Sequence, residues 1–131
     1  MKTFTLVLQD ANHAEEINDV STFVGEDASG SFGILAGHER MMTSLVTGLA
    51  RFRSQADDWR YLALPGAMLY FYHDCLTLST RHYLLDNDYQ RISTALQEQL
   101  LREEEELRTM KNSLYRMEEE LLKRMWQMGR A

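Results

Sequence analysis

The feature that most constrains how this 131-residue chain can fold is an abrupt change of sequence pattern near residue 88. Before that point, glycines punctuate short runs in which apolar and polar residues alternate, a pattern typical of half-buried strands. From Asp88 to Met128 the chain contains neither glycine nor proline, and good helix formers dominate. The sequence therefore predicts an α+β fold in two parts, a β-sandwich or barrel over residues 1–84 followed by a C-terminal helical domain over residues 85–131.

Alternation is clearest at the start of the chain, where Phe4, Leu6 and Leu8 share one face of a predicted strand. A second strand is predicted over residues 17–24, with Val20 and Phe23 on opposite faces. Turn residues separate the next predicted strands, which cover residues 32–35, 43–46, 48–53 and 59–64. Several short strands at close spacing favour a sandwich or a barrel.

A tight hairpin is predicted around His73 and Asp74, between strands at residues 68–72 and 75–79. A two-residue loop would pair Tyr72 with Cys75. This register places four apolar side chains on one face, namely Leu69, Phe71, Leu76 and Leu78. A single apolar face supports the register.

The C-terminal part carries a heptad pattern, which is consistent with an α-helical hairpin or with one long helix. An apolar stripe recurs every seven residues, at Leu100, Leu107, Leu114, Leu121 and Met128. Met110 and Met117 occupy the intermediate heptad positions, and Glu103 interrupts the stripe where an apolar residue would be due. Asn112 and Ser113 are the weakest helix formers here, so a fold-back near residues 108–113 remains open beside a single helix of about 40 residues. A narrow apolar stripe must pack on itself, on the sandwich or on another chain.

Composition argues against several classes of protein. A net charge of −6 is unfavourable for binding nucleic acid, whose phosphates require a basic surface. One cysteine, Cys75, permits no internal disulfide and fits a reducing compartment. No apolar run approaches the length of a membrane span or of a signal peptide. We therefore expect a cytosolic protein, or one that meets a membrane only through a partner.

Candidate sites of chemistry are weak throughout the chain. His73, Asp74 and Cys75 are consecutive residues of a predicted turn, so their side chains point in different directions and form no relay by themselves. The histidines lack the spacing of metal ligands. The glycines between Gly30 and Gly37 lack the lysine of a phosphate-binding loop. A non-catalytic binding or structural role is therefore predicted.

One glycine-rich run carries a resemblance to a known family. Gly30-Ser31-Phe32-Gly33-Ile34-Leu35-Ala36-Gly37-His38, followed by Gly48, resembles the G-x-(F/L)-G-I-(L/Y)-P-G-H motif of the epsilon subunit of F-type rotary ATP synthases. The order and size of the two predicted parts agree with that family. Ala36 replaces the usual proline, and Leu64-Pro65-Gly66-Ala67 replaces a Gly-Gly-Phe-like turn. These departures resemble the divergent epsilon subunits of the alternate, often sodium-linked, synthases.

The resemblance implies a non-catalytic subunit of the central stalk, the rotor, which couples the gamma subunit to the membrane c-ring during proton- or sodium-driven ATP synthesis. Such a subunit is peripheral, at the cytoplasmic face of the cell membrane. By motif position, the c-ring interface comprises Ser29, Ser31 and Phe32, and the gamma interface comprises His38, Met42 and Thr43. For the adjacent Met41 and Met42, core packing and contact with gamma both remain open, because methionine suits either environment.

The family also implies expectations for the C-terminal helices. They regulate ATP hydrolysis in many members, which implies contact with the catalytic alpha and beta subunits, and in some members an I/L-D-x-x-R-A element binds ATP. Only Asp88 and Arg91 match that element, so ATP as a regulatory ligand depends on these two residues. Capping of the helix start by Asp88 is the simpler explanation, and no cofactor is expected.

An alternative from a different class of function is a free-standing β-domain adaptor that dimerises through a C-terminal coiled coil. The motif from Gly30 to His38 favours the stalk subunit over this adaptor.

Overall fold

The structure is a computed structural model that describes residues 2–55 and 58–129. In these residues nine strands precede one helix: β1 (Phe4–Gln9), β2 (Ala14–Asp27), β3 (Gly30–Leu35), β4 (Met41–Leu45), β5 (Gly48–Ser54), β6 (Arg60–Leu64), β7 (Ala67–Tyr72), β8 (Cys75–Ser79), β9 (Leu84–Asp86) and α1 (Tyr89–Met128). The predicted α+β class is confirmed. Of the two possibilities for the C-terminal part, the structure has the single long helix.

The strands form a sandwich-like arrangement in which the long strand β2 belongs to both layers. The strand order is β1-β8-β7-β4-β2-β5-β6-β9, with β3 paired to β2 and an additional pairing of β1 with β2. Nearly all neighbours are antiparallel, but β1 runs parallel to β8, pairing Leu6 with Leu76. The first and the eighth strands of the chain are therefore neighbours in one layer.

One hydrophobic core fills the space between the layers. The alternation predicted for β1 is confirmed, since Phe4, Leu6 and Leu8 are all buried. They pack with apolar residues of the other strands, among them Ile34, Leu62, Leu69, Phe71, Leu76 and Leu78. Burial of this apolar surface is the main force that stabilises the domain.

In β2 the structure corrects the sequence prediction. Val20 and Phe23 were predicted on opposite faces, yet both are fully buried in the same core. The reason is a β-bulge at Ser21: the register of β2 against β5 shifts between Val20 and Thr22. An extra residue in one strand reverses the facing of the residues beyond it.

The β7–β8 hairpin has the predicted register. Tyr72 pairs with Cys75 and Phe71 with Leu76. The loop residues His73 and Asp74 both have positive φ, 48° and 53°, as a two-residue hairpin turn of the type I′ requires. Strand β9 was not predicted; its three residues pair with β6.

The chain divides into two compact units, Met1–Leu96 and Gln97–Ala131. The first turns of α1 belong to the first unit, where Ile92 is only 1% exposed. In the second unit, the described part of α1 has exposed side chains along most of its length, including Leu107, Leu114 and Leu121. In the described part of α1, a guanidinium nitrogen of Arg124 lies 3.8 Å from a carboxylate oxygen of Glu120, one turn earlier in the helix.

Candidate functional site

The carboxylate of Asp27, the last residue of β2, organises the turn between β2 and β3. One oxygen, Oδ1, accepts hydrogen bonds from the backbone N–H and the hydroxyl of Ser29. The other, Oδ2, accepts a hydrogen bond of 2.9 Å from the hydroxyl of Thr43 on β4. The hydroxyl bonds from Ser29 and Thr43 hold the pKa of Asp27 below its usual value. Ser29 and Thr43, predicted for different interfaces, are thus brought to one carboxylate.

The other two residues predicted for the c-ring interface lie on β3. Ser31 is exposed and pairs across the ladder with Glu26. Phe32 pairs with Gly25, and its ring is partly buried against the core. Of these two residues, Ser31 therefore offers its side chain to a partner more freely than Phe32.

Asp74 anchors the loop that contains His38. Its Oδ1 accepts a hydrogen bond of 2.7 Å from the backbone N–H of Gly37, which has a φ of 81°. The backbone oxygen of Asp74 accepts the N–H of Thr5 at 3.0 Å. The β7–β8 turn therefore holds the loop after β3 in place.

The ring of His38 is exposed on one side and contacts a core residue on the other. It packs edge-on against Phe71, with centroids 5.8 Å apart, and its Nδ1 lies 2.8 Å from the backbone oxygen of Glu39. The sequence predicted Asp74 in the hairpin turn, but not its hydrogen bond to the loop of His38, because Gly37 lies 37 positions away.

Alternation along β4 separates the two adjacent methionines. Met41 is packed against the core, whereas Met42 is 65% exposed on the opposite face. Of the two alternatives left open by the sequence, core packing therefore applies to Met41, and an exposed position open to a partner applies to Met42. Thr43 follows on the inner side, so it does not share the exposed face of Met42.

An exposed apolar surface surrounds Met42. Tyr70 pairs with Met42 across the β4–β7 ladder, and Met68 (50% exposed) and Tyr72 (44% exposed) lie on the same face of β7. The guanidinium of Arg40 lies 5.7 and 5.3 Å from the ring centroids of Tyr70 and Tyr72. We call Met42, Met68, Tyr70 and Tyr72 the outer β4–β7 face. Contiguous exposed apolar residues on a folded domain are typical of interaction surfaces.

At the helix start, the capping role predicted for Asp88 is confirmed. Its Oδ1 accepts the backbone N–H of Arg91 at 3.2 Å. The guanidinium of Arg91 donates two hydrogen bonds to Asp86, at 2.6 and 2.7 Å, and this pairing lowers the pKa of Asp86. A polar cleft of about 570 Å³ is lined by Asp58, Arg60 and Asp86, and two carboxylates against one arginine are unfavourable for a phosphate group.

Hydrogen bonds of the Tyr83 side chain connect the segment before β9 with the start of β2. The hydroxyl of Tyr83 donates to Glu15 at 2.6 Å and lies 3.1 Å from Nε2 of His13. Burial and the carboxylate of Glu15 raise the pKa of Tyr83.

In the part of the chain that the structure describes, no three His, Cys, Asp or Glu residues cluster as metal ligands would. We also find there no helix whose length and hydropathy would let it span a bilayer.

The family of the chain follows from comparison with known proteins. A family model described as ATP synthase, Delta/Epsilon chain, beta-sandwich domain matches residues 3–84, which is more than half of the chain. The chain belongs to this family. The predicted resemblance to epsilon subunits of F-type ATP synthases is thereby confirmed, and β1 to β8 and the start of β9 lie within the matched domain.

A curated member of the Delta/Epsilon family, ATP synthase epsilon chain 2 of Cereibacter sphaeroides, is 32% identical over 85 residues. The match covers 64% of this chain and 58% of that relative, so it spans less than two thirds of the relative's length.

Two solved structures resemble the chain in fold. One is the Euglena gracilis mitochondrial ATP synthase, OSCP/F1/c-ring, with a TM-score of 0.58 and 18% identity, covering 73% of this chain and 62% of that one. The other is the central stalk and c-ring of the Tetrahymena thermophila mitochondrial ATP synthase, with a TM-score of 0.55 and 9% identity, covering 77% and 92%. At these identities the likeness describes the Delta/Epsilon fold alone.

Proposed function

We propose that this protein is a non-catalytic epsilon subunit of the central stalk of an F-type ATP synthase, and that it couples the gamma subunit to the c-ring. Membership of the Delta/Epsilon family supports this role. The observation that carries it is the outer β4–β7 face, which presents apolar side chains to solvent next to the family motif. The subunit would be peripheral, at the cytoplasmic face of the membrane, and would meet the membrane only through partners.

On the gamma side, we assign the contact to the outer β4–β7 face. Met42 would supply flexible apolar contact area, and its neighbours Tyr70 and Tyr72 would supply rigid aromatic area, which is enriched at interfaces. His38 would border this surface from the adjoining loop. Thr43 would act indirectly, because its hydroxyl holds Asp27 and so fixes the position of β4 at the end of β2.

On the c-ring side, we assign the contact to the turn between β2 and β3. Ser29 and Ser31 are exposed there, and Asp27 fixes the backbone of the turn through Ser29. Phe32 would support the turn from the core side. The ions carried by the c-ring, protons or sodium, would be bound by residues of other chains.

Co-purification with the gamma subunit encoded in the same genome tests this role. Met42→Glu should abolish retention of gamma, because a charged carboxylate would be desolvated at an apolar interface. Leu35→Glu is the matched control: Leu35 is 60% exposed, but on β3, and its variant should retain gamma. Wild-type protein that shows no affinity for gamma, or a Met42→Glu variant that binds normally, would contradict the proposal.

We further propose that α1 regulates ATP hydrolysis through contact with the catalytic alpha and beta subunits. Exposed apolar residues along α1 after Leu96 supply a surface for such contact. Truncation after Leu96 leaves the first compact unit whole, including buried Ile92. The synthase carrying this truncation should hydrolyse ATP faster than the wild type, and an unchanged rate would exclude an inhibitory role.

No cofactor is proposed. The bidentate pairing of Arg91 with Asp86 leaves its guanidinium occupied, which disfavours ATP binding by Asp88 and Arg91. Addition of Mg-ATP should therefore leave the Tm unchanged, because only a ligand that binds the folded state raises it. A rise in Tm that Arg91→Gln removes would establish ATP as a regulatory ligand.

The exposed stripe on α1 also favours a second candidate, a free-standing adaptor that dimerises through a coiled coil. Sedimentation of the isolated chain separates the two: a stable dimer without affinity for gamma supports the adaptor.

A further inference from the structure

Two arginines and a tryptophan form a cationic surface on the other layer of the sandwich. Arg51 and Arg53 lie on β5 on either side of buried Phe52, so both point outward. Their guanidinium carbons lie 4.7 and 5.6 Å from the ring centroid of Trp59. A guanidinium that stacks on an indole is held in a defined orientation while its N–H groups remain available. We call Arg51, Arg53 and Trp59 the β5 arginine surface.

The arginines of this surface lack carboxylate partners in the described residues. The ion pairs found there are His13–Asp10, Arg91–Asp86 and Arg124–Glu120, at N–O distances of 3.2, 2.6 and 3.8 Å. The cross-strand neighbours are uncharged: Arg51 pairs with Tyr61 on β6 and Val24 on β2, and Arg53 pairs with Thr22. Two oriented positive charges thus lie opposite uncharged cross-strand neighbours, in a chain whose net charge is −6.

We propose that the β5 arginine surface binds an acidic segment of a protein partner. Residues i and i+2 of a strand lie about 7 Å apart on one face, so the two guanidiniums can each bind one carboxylate of a pair with similar spacing. An extended segment with acidic residues at alternate positions has that spacing. Arginine and tryptophan are also the residues that most often dominate binding energy at protein interfaces.

A protein segment fits better than the other anions that arginine binds. Nucleic acid and anionic membranes are extended surfaces of negative charge, and stable binding to them requires a broader basic surface than two arginines, in a chain whose net charge is −6. A short acidic peptide brings only the charges that the two guanidiniums neutralise. The surface lies on β5, so this inference does not depend on the proposed contact of the outer β4–β7 face with gamma.

The test is an NMR titration of the full chain with the peptide Ac-Gly-Glu-Gly-Glu-Gly-NH2. The indole N–H of Trp59, assigned with the help of Trp126→Phe, reports binding. We expect it to shift with the peptide, and not with the same peptide carrying Gln in place of Glu. The double variant Arg51→Gln/Arg53→Gln should weaken binding at least about tenfold, since loss of one charge-assisted hydrogen bond can cost that much.

Two further variants make the result specific. Arg81→Gln removes an exposed arginine elsewhere and should leave the peptide affinity unchanged. Arg51→Lys/Arg53→Lys keeps the charge but loses the planar fork, and should bind with intermediate affinity. The amide spectrum checks that each variant is folded.

The proposal is overturned if the peptide produces no shift, or if the double glutamine variant binds as tightly as the wild type. It is also overturned if tripolyphosphate or phosphatidylglycerol vesicles bind the same arginines in preference to the peptide, because the ligand would then be a phosphate group or a membrane.

Discussion

The Thr43 hydroxyl on β4 donates a 2.9 Å hydrogen bond to the carboxylate of Asp27 at the end of β2. This bond is notable because β2 and β4 share only the ladder pair of Asp27 with Leu45. The same carboxylate holds Ser29 in the turn before β3. Movement of the β2–β3 turn is therefore coupled to β4, and the two contact segments that we propose for the c-ring and for gamma are joined by one side chain.

The first prediction concerns the stability of this link. Thr43→Val keeps the shape of the side chain but removes the donor, so we expect a loss of about 1 kcal/mol in the free energy of unfolding. Urea denaturation measures it. Thr22→Val is the control, because the Thr22 side chain has no hydrogen bond among those found in the described residues, and its variant should stay within about 0.5 kcal/mol of the wild type. Equal losses in the free energy of unfolding for Thr43→Val and Thr22→Val would contradict a stabilising role of the hydrogen bond from Thr43 to Asp27.

The second prediction is a pH dependence that originates at Asp27. Its pKa in the folded protein is lower than in the unfolded chain, whose value is near 3.8. The resulting stabilisation is fully present above that unfolded pKa and is lost as the pH falls through the lower folded pKa. Acid unfolding of Asp27→Asn should therefore be less steep below about pH 4 than that of the wild type. Identical acid profiles would contradict the assignment.

The parts of the fold that could be predicted from the sequence are mostly those in which nearby residues form a visible apolar pattern. The β7–β8 register followed from the single apolar face of Leu69, Phe71, Leu76 and Leu78. The bulge in β2 was missed, because regular alternation from Val20 to Phe23 assumes one residue per pairing position, whereas the register against β5 shifts between Val20 and Thr22. Strand β9 was missed because three residues are too few for periodicity to be visible.

The third prediction tests close packing at Gly25. A Cβ added there would lie 2.9 Å from the ring of Phe23 and 3.2 Å from the side chain of Leu45, both buried. Gly25→Ala should therefore destabilise the domain by about 1–3 kcal/mol. Gly33→Ala is the matched control, since its nearest contact is an ordinary 3.7 Å to a backbone oxygen, and it should change stability by less than about 1 kcal/mol. Comparable losses in the two variants would contradict this account.

The fourth prediction concerns the anchoring of Gly37 by Asp74. Asp74→Gly removes the carboxylate but suits the positive φ of the turn, so the β7–β8 hairpin should persist. The amide of Gly37 should then exchange its hydrogen on the order of tenfold faster, because its acceptor is lost. Hydrogen exchange followed by NMR measures this, with the amides of β7 and β8 as the internal reference. An unchanged rate at Gly37 would show that the loop is held by other contacts.

The fifth prediction separates capping from charge at the helix start. Asp88→Ala should cost about 1 kcal/mol in the free energy of unfolding of the first compact unit, because the N–H of Arg91 loses its acceptor. Asp88→Asn retains a capping oxygen and should stay close to the wild type. If Asp88→Asn lowers the free energy of unfolding as much as Asp88→Ala does, the negative charge of Asp88 matters more than its hydrogen bond.

The candidate site was predictable where residues lie in the family motif, and not where it depends on distant partners. Ser29, His38, Met42 and Thr43 came from motif position, whereas Asp27 and Asp74, which hold those segments in place, act through contacts across the fold. The division of roles between Met41 and Met42 follows from simple alternation along β4, but only once the extent of that strand is known. The β5 arginine surface is likewise invisible until β5 and Trp59 are placed together.

The parallel pairing of β1 with β8 has a consequence for how the protein is made. Leu6 and Leu8 find their partners Leu76 and Leu78 about 70 residues later in the chain. At translation rates of 5–20 residues per second, the first strand must wait on the order of 4–14 s before its layer can close. During this time its apolar face is shielded only by what β2 can offer. The nascent chain is therefore most vulnerable to aggregation and to chaperone capture at its N-terminal end, even though that strand is among the best buried in the finished fold.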